Sequence, residues 1–262
     1  MTDLRPVTLI TGASAGIGAA LAEVFALKGH ELVLIARRAP ELNELADMIA
    51  YEVGVRPHIL ALDLLAPGAT ARIADELKQR GLEPEIVINN AGFGLLGPAA
   101  SLDRGQQLAM IDLNMRVLTD LSLRFVPSLE RHRGGILNLG SVASFMPSPN
   151  LAVYHATKAY VLSFSEALHQ ELAPSGIRVT ALCPGPVYTE FQARAGIPKG
   201  YHPHKFSRTM MQVANEGYDG LKRGDRVVVP GSDNKVIVAI ARLLPRSAML
   251  WLVRFFQRKH VA

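Results

Sequence analysis

Short apolar runs alternate along this chain with longer stretches whose apolar residues recur every three or four positions. The runs are "VTLIT" (7–11), "ELVLIA" (31–36), "HILALDL" (58–64), "IVINNAG" (86–92), "GGILNLGS" (134–141) and "RVTALCPG" (178–185), with "DRVVVPG" (225–231) as a seventh. Branched, unbroken runs of this length between turn residues read as strands buried on both faces. Their alternation with amphipathic helices predicts an α/β fold, a doubly wound parallel sheet of seven strands with helices on both faces. No internal repeat, low-complexity block or Pro/Gly/Ser-rich linker divides the chain, so 1–262 is expected to be one domain.

Composition changes this picture little. Hydrophobic residues make up 49% of the 262 positions, enough for a large core. The single cysteine, Cys183, excludes a disulfide framework and reads as a small core residue. The start of the sequence lacks the pattern of a signal peptide, which leads us to expect a cytoplasmic protein. Charge is more informative, because residues 222–262 hold nine Lys/Arg against Asp225 and Asp233, leaving the first 221 residues at −2 out of a net +5. The basic character belongs to the C-terminal tail, and without a reader motif or stacking aromatics it does not predict nucleic-acid binding.

The first strand runs directly into "TGASAGIG" (11–18) and an amphipathic helix. Glycines at 12, 16 and 18 allow a sharp turn, close approach of a pyrophosphate, and tight packing of the helix whose N-terminus faces it. Such a dinucleotide site usually carries an acid about twenty residues further on, bound to the adenosine ribose. Here that strand ends "LVLIARR" (32–38), with Ala36 followed by Arg37 and Arg38. A small residue and two guanidinium groups suit a 2′-phosphate, so NADP(H) is expected over NAD(H), with Arg37 as the first choice and Arg38 as its assistant.

Tyr154 and Lys158 in "YHATK" stand one helical turn apart on one face. An ammonium near a phenol favours phenolate and would lower the tyrosine towards working pH, making Tyr154 a candidate general acid and base. Ser141 ends an apolar run thirteen residues earlier, and Asn114 lies in a helical stretch. In the order "TGASAGIG", "LDL" around Asp63, "NNAG", "LNM" around Asn114, Ser141, "YHATK" and "PGPVYT", residues 5–190 resemble the short-chain dehydrogenase/reductase family, in its single-domain, NADP-preferring form.

The resemblance implies a Rossmann-type fold and hydride transfer between NADP(H) and a carbonyl or secondary alcohol. It implies that Tyr154 exchanges the proton of the substrate oxygen and that Ser141 hydrogen-bonds that oxygen. Lys158 would hold the nicotinamide ribose, and Asn114 would anchor a water relay. It further implies Gly12, Ser14, Gly16, Ile17 and Gly18 around the phosphates, Asp63 at the adenine, and Asn90, Ala91 and Gly92 beside the adenosine ribose. Pro184, Gly185, Val187 and Thr189 would then border the nicotinamide. Related enzymes form dimers or tetramers, with the stretches around Asn114 and after Tyr154 as candidate interfaces.

Substrate choice falls to the variable loops, and 190–221 is the segment expected to cover the substrate. Phe93, Leu95, Leu96, Phe145, Met146, Tyr188 and Phe191 give these loops an apolar rim, which predicts a small apolar ketone, aldehyde or alcohol. "HPHKF" (202–206) offers two histidines without a carboxylate or thiolate partner, so no metal is expected. The extension 234–262 is apolar, broken by Pro245 and studded with arginines, which excludes a membrane span. It either packs on the domain or a second subunit, the reading its aromatic area favours, or lies on an anionic membrane surface. A non-catalytic NADP(H) sensor, or a membrane-surface scaffold, is the alternative on the same fold.

Overall fold

Leu32–Ala36, five apolar residues in a row, form a strand with every side chain buried, as a sheet covered on both faces requires. The computed structural model describes residues 4–198 and 207–258. Seven strands, β1 (Arg5–Thr11), β2 (Leu32–Ala36), β3 (His58–Ala61), β4 (Leu82–Asn89), β5 (Gly135–Leu139), β6 (Arg178–Leu182) and β7 (Val227–Val228), make one sheet. All pairs are parallel, in the order β3-β2-β1-β4-β5-β6-β7. The order reverses between β1 and β4, and the crevice beyond their carboxyl ends is where such sheets take ligands.

Alternation along each strand sorts the core into two layers. Ile10, Leu34, Ile88, Leu137 and Leu182 point to α1 (Gly16–Leu27), α2 (Ala39–Val53) and α9 (Met210–Arg223). Leu9, Val33, Val87, Ile136 and Val179 point to the opposite layer. That layer holds α3 (Ala69–Gln79), α5 (Leu118–Arg124), α6 (Val126–His132) and α7 (Ala152–Leu172). α4 (Arg104–Ile111) runs into α5 through a π-helical stretch, Asp112–Val117. Short α8 (Glu190–Arg194) follows β6, and α10 (Ser232–Leu243) and α11 (Arg246–Arg258) close the chain.

β4 starts at Leu82, four residues before its apolar run. Pro84 hid this, since proline in a central strand lacks a ladder donor. It is accommodated where the β1–β4 register shifts between Val7 and Thr8, and its carbonyl accepts the Ser128 hydroxyl at 2.7 Å. Between β4 and β5 the sheet interior carries a polar chain. Asn89, opposite Asn138 in register, donates to Asn138 Oδ1 and to Ser122 Oγ, both at 2.9 Å, and Asn138 donates to Ser165 Oγ at 2.9 Å.

Candidate active site

The glycine turn leaves β1 at Thr11 with Gly12 and Gly16 at φ +67° and +62°, backbone that a β-carbon disfavours. Ala15 precedes α1 with no side-chain cap, and the first turn carries no acid, so its leading N–H groups are open to an anion. Asn90 braces the turn from below, its amide donating to the carbonyls of Thr11 at 2.9 Å and Gly12 at 3.1 Å. A β-carbon on Gly18 would fall 2.3 Å from the Gly12 oxygen and 2.4 Å from the Asn90 amide nitrogen. Gly18→Ala therefore forces turn and helix apart, at a cost of about 1–3 kcal/mol. The expected result is a melting temperature lowered by at least 3 °C, roughly what that cost means for a chain of this size, which calorimetry of the purified variant checks.

The turn, its bare helix N-terminus and the guanidinium beside it fit the phosphates of a dinucleotide. That guanidinium is Arg38. Its Nη2 lies 3.3 Å from Ser14 Oγ and 3.4 Å from the Ser14 carbonyl, and it forms ion pairs of 3.1 Å with Glu41 and with Glu190 on α8. Arg37 is exposed at the strand end, with no partner among the described residues. The arginine ranked second from sequence is thus the one beside the turn. Asp63 is exposed and accepts the backbone N–H of Leu65 at 3.0 Å. Ile17 packs on the core, and Ala91 and Gly92 lead on from Asn90.

The catalytic candidates meet at the carboxyl end of β5. Ser141 caps a 3₁₀ turn (Val142–Phe145), accepting from the Ala143 N–H at 3.1 Å, and its hydroxyl is close enough to the phenol of Tyr154 to lower the phenol's pKa. Lys158, only 5% exposed, donates to the Leu139 carbonyl at 2.6 Å and holds its ammonium 5.9 Å from the centre of the Tyr154 ring. Burial pushes the phenol up to about 12, against that lowering by the Ser141 hydroxyl. Burial takes Lys158 down to about 8. The sequence led us to expect a phenolate favoured by the lysine; in the structure desolvation is the largest influence on the phenol and favours Tyr154 as the neutral acid. Cys183, fully buried beneath Gly140, is likewise held neutral, its thiol pushed up to about 12 by burial.

Asn114 sits in the π-helical stretch, a distortion that often marks functional positions. Its side chain brackets the backbone of Phe93, donating to the carbonyl at 3.0 Å and accepting the N–H at 3.2 Å, and donates to Thr157 Oγ1 at 3.1 Å. Gly92 fills the space between: a β-carbon there would stand 2.8 Å from Asn114 Oδ1 and 3.8 Å from Lys158 Nζ. Thr157 was not singled out from sequence, although its place immediately before Lys158 was the available signal.

Beyond β6, Pro184 accepts the Val142 N–H at 3.0 Å, Gly185 packs against the Asn234 side chain, and Val187 is buried in the core. Thr189 caps α8 and rests its methyl on Gly16, so this segment folds back over the glycine turn. Glu190 was missed for want of any local signal; its pairing with Arg38 spans 152 positions. Of the rim residues, Phe191 lies 5.4 Å from the Tyr154 ring, with Gly94 against both rings. Phe93, Leu95, Leu96 and Met146 are partly buried nearby in sequence, and Tyr188 is exposed. Phe145 instead packs on Leu162, Ala181 and Cys183 with the Arg242 guanidinium 5.0 Å above its ring, which gives it a packing role. The "HPHKF" histidines lie outside the described residues, and among the described residues no group of His, Cys, Asp and Glu could hold a metal.

A sequence model described as "short chain dehydrogenase" matches residues 6–198. Sulfoacetaldehyde reductase 2 of Chromohalobacter salexigens is 38% identical over 191 residues, covering 72% of this chain and 75% of that protein. Among solved structures, a short-chain dehydrogenase from Sphingobium yanoikuyae in complex with NADPH is 34% identical. It covers 92% of this chain and 96% of its own, at a TM-score of 0.80. A "bulky-bulky ketone specific" alcohol dehydrogenase from Comamonas testosteroni is 30% identical, covers 92% and 93%, and has a TM-score of 0.75.

Proposed function

The chain belongs to the short-chain dehydrogenase family, and from that premise we propose an NADP(H)-dependent oxidoreductase that interconverts a carbonyl and a secondary alcohol through Tyr154. One observation carries the reading. The Ser141 hydroxyl meets the Tyr154 phenol, with the buried Lys158 ammonium one turn away, at the same sheet end as an uncapped helix N-terminus and the Arg38 guanidinium. When bound, NADPH would supply the hydride to the carbonyl carbon. Ser141 would donate to the carbonyl oxygen, Tyr154 would release its proton to that oxygen as charge develops there, and Lys158 would hold the ribose hydroxyls. Asn114, fixed by the Phe93 backbone and Thr157, would anchor the water that returns the proton. Arg38 would pair with the 2′-phosphate in place of a carboxylate.

Tyr154 held as an acid suits reduction, and the direction gives a pH test. Reduction needs the phenol protonated, which about 12 ensures, so its rate should stay level from pH 6 to 8 and fall above 8 as Lys158 loses its charge. Oxidation needs phenolate and should rise with pH. Initial rates in both directions across pH 6–10 check this; a reduction rate that climbs through pH 9 would contradict it.

The Phe191 ring against that of Tyr154 supports an apolar carbonyl substrate, and the likeness to the Comamonas enzyme, described as specific for bulky-bulky ketones, supports a ketone as that carbonyl. Exposed Leu108 and Ile111 on α4 and the exposed small residues Ala156, Ala159 and Ser163 on α7 support a dimer or tetramer through these helices. Titrating the protein with NADPH and NADH, followed by cofactor fluorescence, tests the core of the reading: tight NADPH and weak NADH are expected, then turnover of apolar ketones. Binding of neither would overturn it.

A further inference from the structure

The C-terminal helices present a surface that the chemistry at Tyr154 does not use. On α10, Val236, Ile240 and Leu243 line the outward face at helical spacing, Leu243 being 84% exposed, and Leu244 continues them. The opposite side holds α10 in place through buried Asn234 and Val238. α11 is attached through buried Met249 and partly buried Leu252 and Val253. Its outward face interleaves Arg246, Leu250 and Arg254 with Trp251, 68% exposed and stacked on Phe255 at 5.8 Å.

Charge decides what this face meets. Residues 234–262 contain Lys235, Arg242, Arg246, Arg254, Arg258 and Lys259 and no Asp or Glu. Among the described residues neither Arg246 nor Arg254 pairs with a carboxylate. A second copy on the same face would set arginine against arginine across a two-fold axis, the isologous geometry such contacts take. A nucleic acid would satisfy the arginines but leave the leucines and Trp251 in water. A bilayer of anionic lipid satisfies both: headgroup phosphates for the arginines and the acyl boundary for the leucines and Trp251. No helix of the described residues is long and apolar enough to cross a membrane.

We propose that α10 and α11 form a docking face for an anionic bilayer, lying in the plane of the interface with Trp251 and Leu250 inserted and Arg246 and Arg254 on the headgroups. Trp251 is the single tryptophan of the chain, so its emission reads the event directly. The full-length protein is mixed with phosphatidylglycerol/phosphatidylcholine vesicles and with pure phosphatidylcholine vesicles, at low and high salt. The expected result is a blue shift and co-sedimentation with the anionic vesicles alone, weakened by salt. In Arg246→Glu/Arg254→Glu the vesicle partition coefficient should drop about 30-fold or more, with an unchanged melting temperature. An emission spectrum unmoved by anionic vesicles overturns the proposal. So does a blue shift that grows with protein concentration in the absence of lipid while light scattering reports a doubled mass, which would give the face to a second copy.

Discussion

Tyr154→Phe is expected to lower the turnover number by about 10³-fold, within the range that a positioned acid/base contributes, while NADPH affinity changes less than twofold. Only the phenolic oxygen is removed. The ring stays against Phe191, and the neighbour that loses the phenol inside the protein is the Ser141 hydroxyl. The hydride would still be available, so what disappears is the proton that neutralises the substrate oxygen. Stopped-flow measurement of NADPH oxidation with a ketone substrate checks the rate, and fluorescence titration checks the affinity. A variant that keeps a tenth of the wild-type rate would remove Tyr154 from the chemistry. A chain acting as a cofactor sensor would bind NADPH as before and lose nothing, which separates that alternative in the same experiment.

Arg38→Ala is expected to raise the Kd for NADPH about 10- to 100-fold, the worth of a charge-assisted hydrogen bond to a phosphate, and to leave that for NADH within twofold. The asymmetry is the argument. Arg38 is already gathered against Ser14 at the glycine turn, and the ligand difference is confined to the 2′ position. Arg37→Ala, at an exposed side chain, should cost less than a third of that loss on a logarithmic scale. Calorimetric titration of the three proteins with both cofactors decides it. Equal losses for NADPH and NADH would mean that Arg38 supports the turn and does not read the phosphate.

The strands were legible where apolar residues run without interruption, as in Leu32–Ala36, because burial on both faces leaves no other composition. Leu82–Glu85 was not, because a proline at a register shift is a tertiary accommodation. The glycine turn and the Tyr154, Lys158 spacing are local, so sequence exposes them. Which of two adjacent arginines turns to the crevice depends on Glu190 and Ser14, which fold up from distant segments. The protonation state of Tyr154 escaped for a related reason: spacing announces the nearby lysine but not how dry the pocket is, and here desolvation dominates.

The polar chain through Asn89, Asn138 and Ser165 makes the central sheet check its own alignment. Aliphatic strands tolerate a slip thermodynamically as long as grease meets grease. Moving β5 one residue along β4 would turn its side chains to the opposite layer and leave each amide among hydrocarbon without its partner. Two asparagines thus act as a key cut for one alignment, and that alignment carries the ends of β4 and β5, with Asn90 and Ser141 just beyond them, to the same height above the sheet.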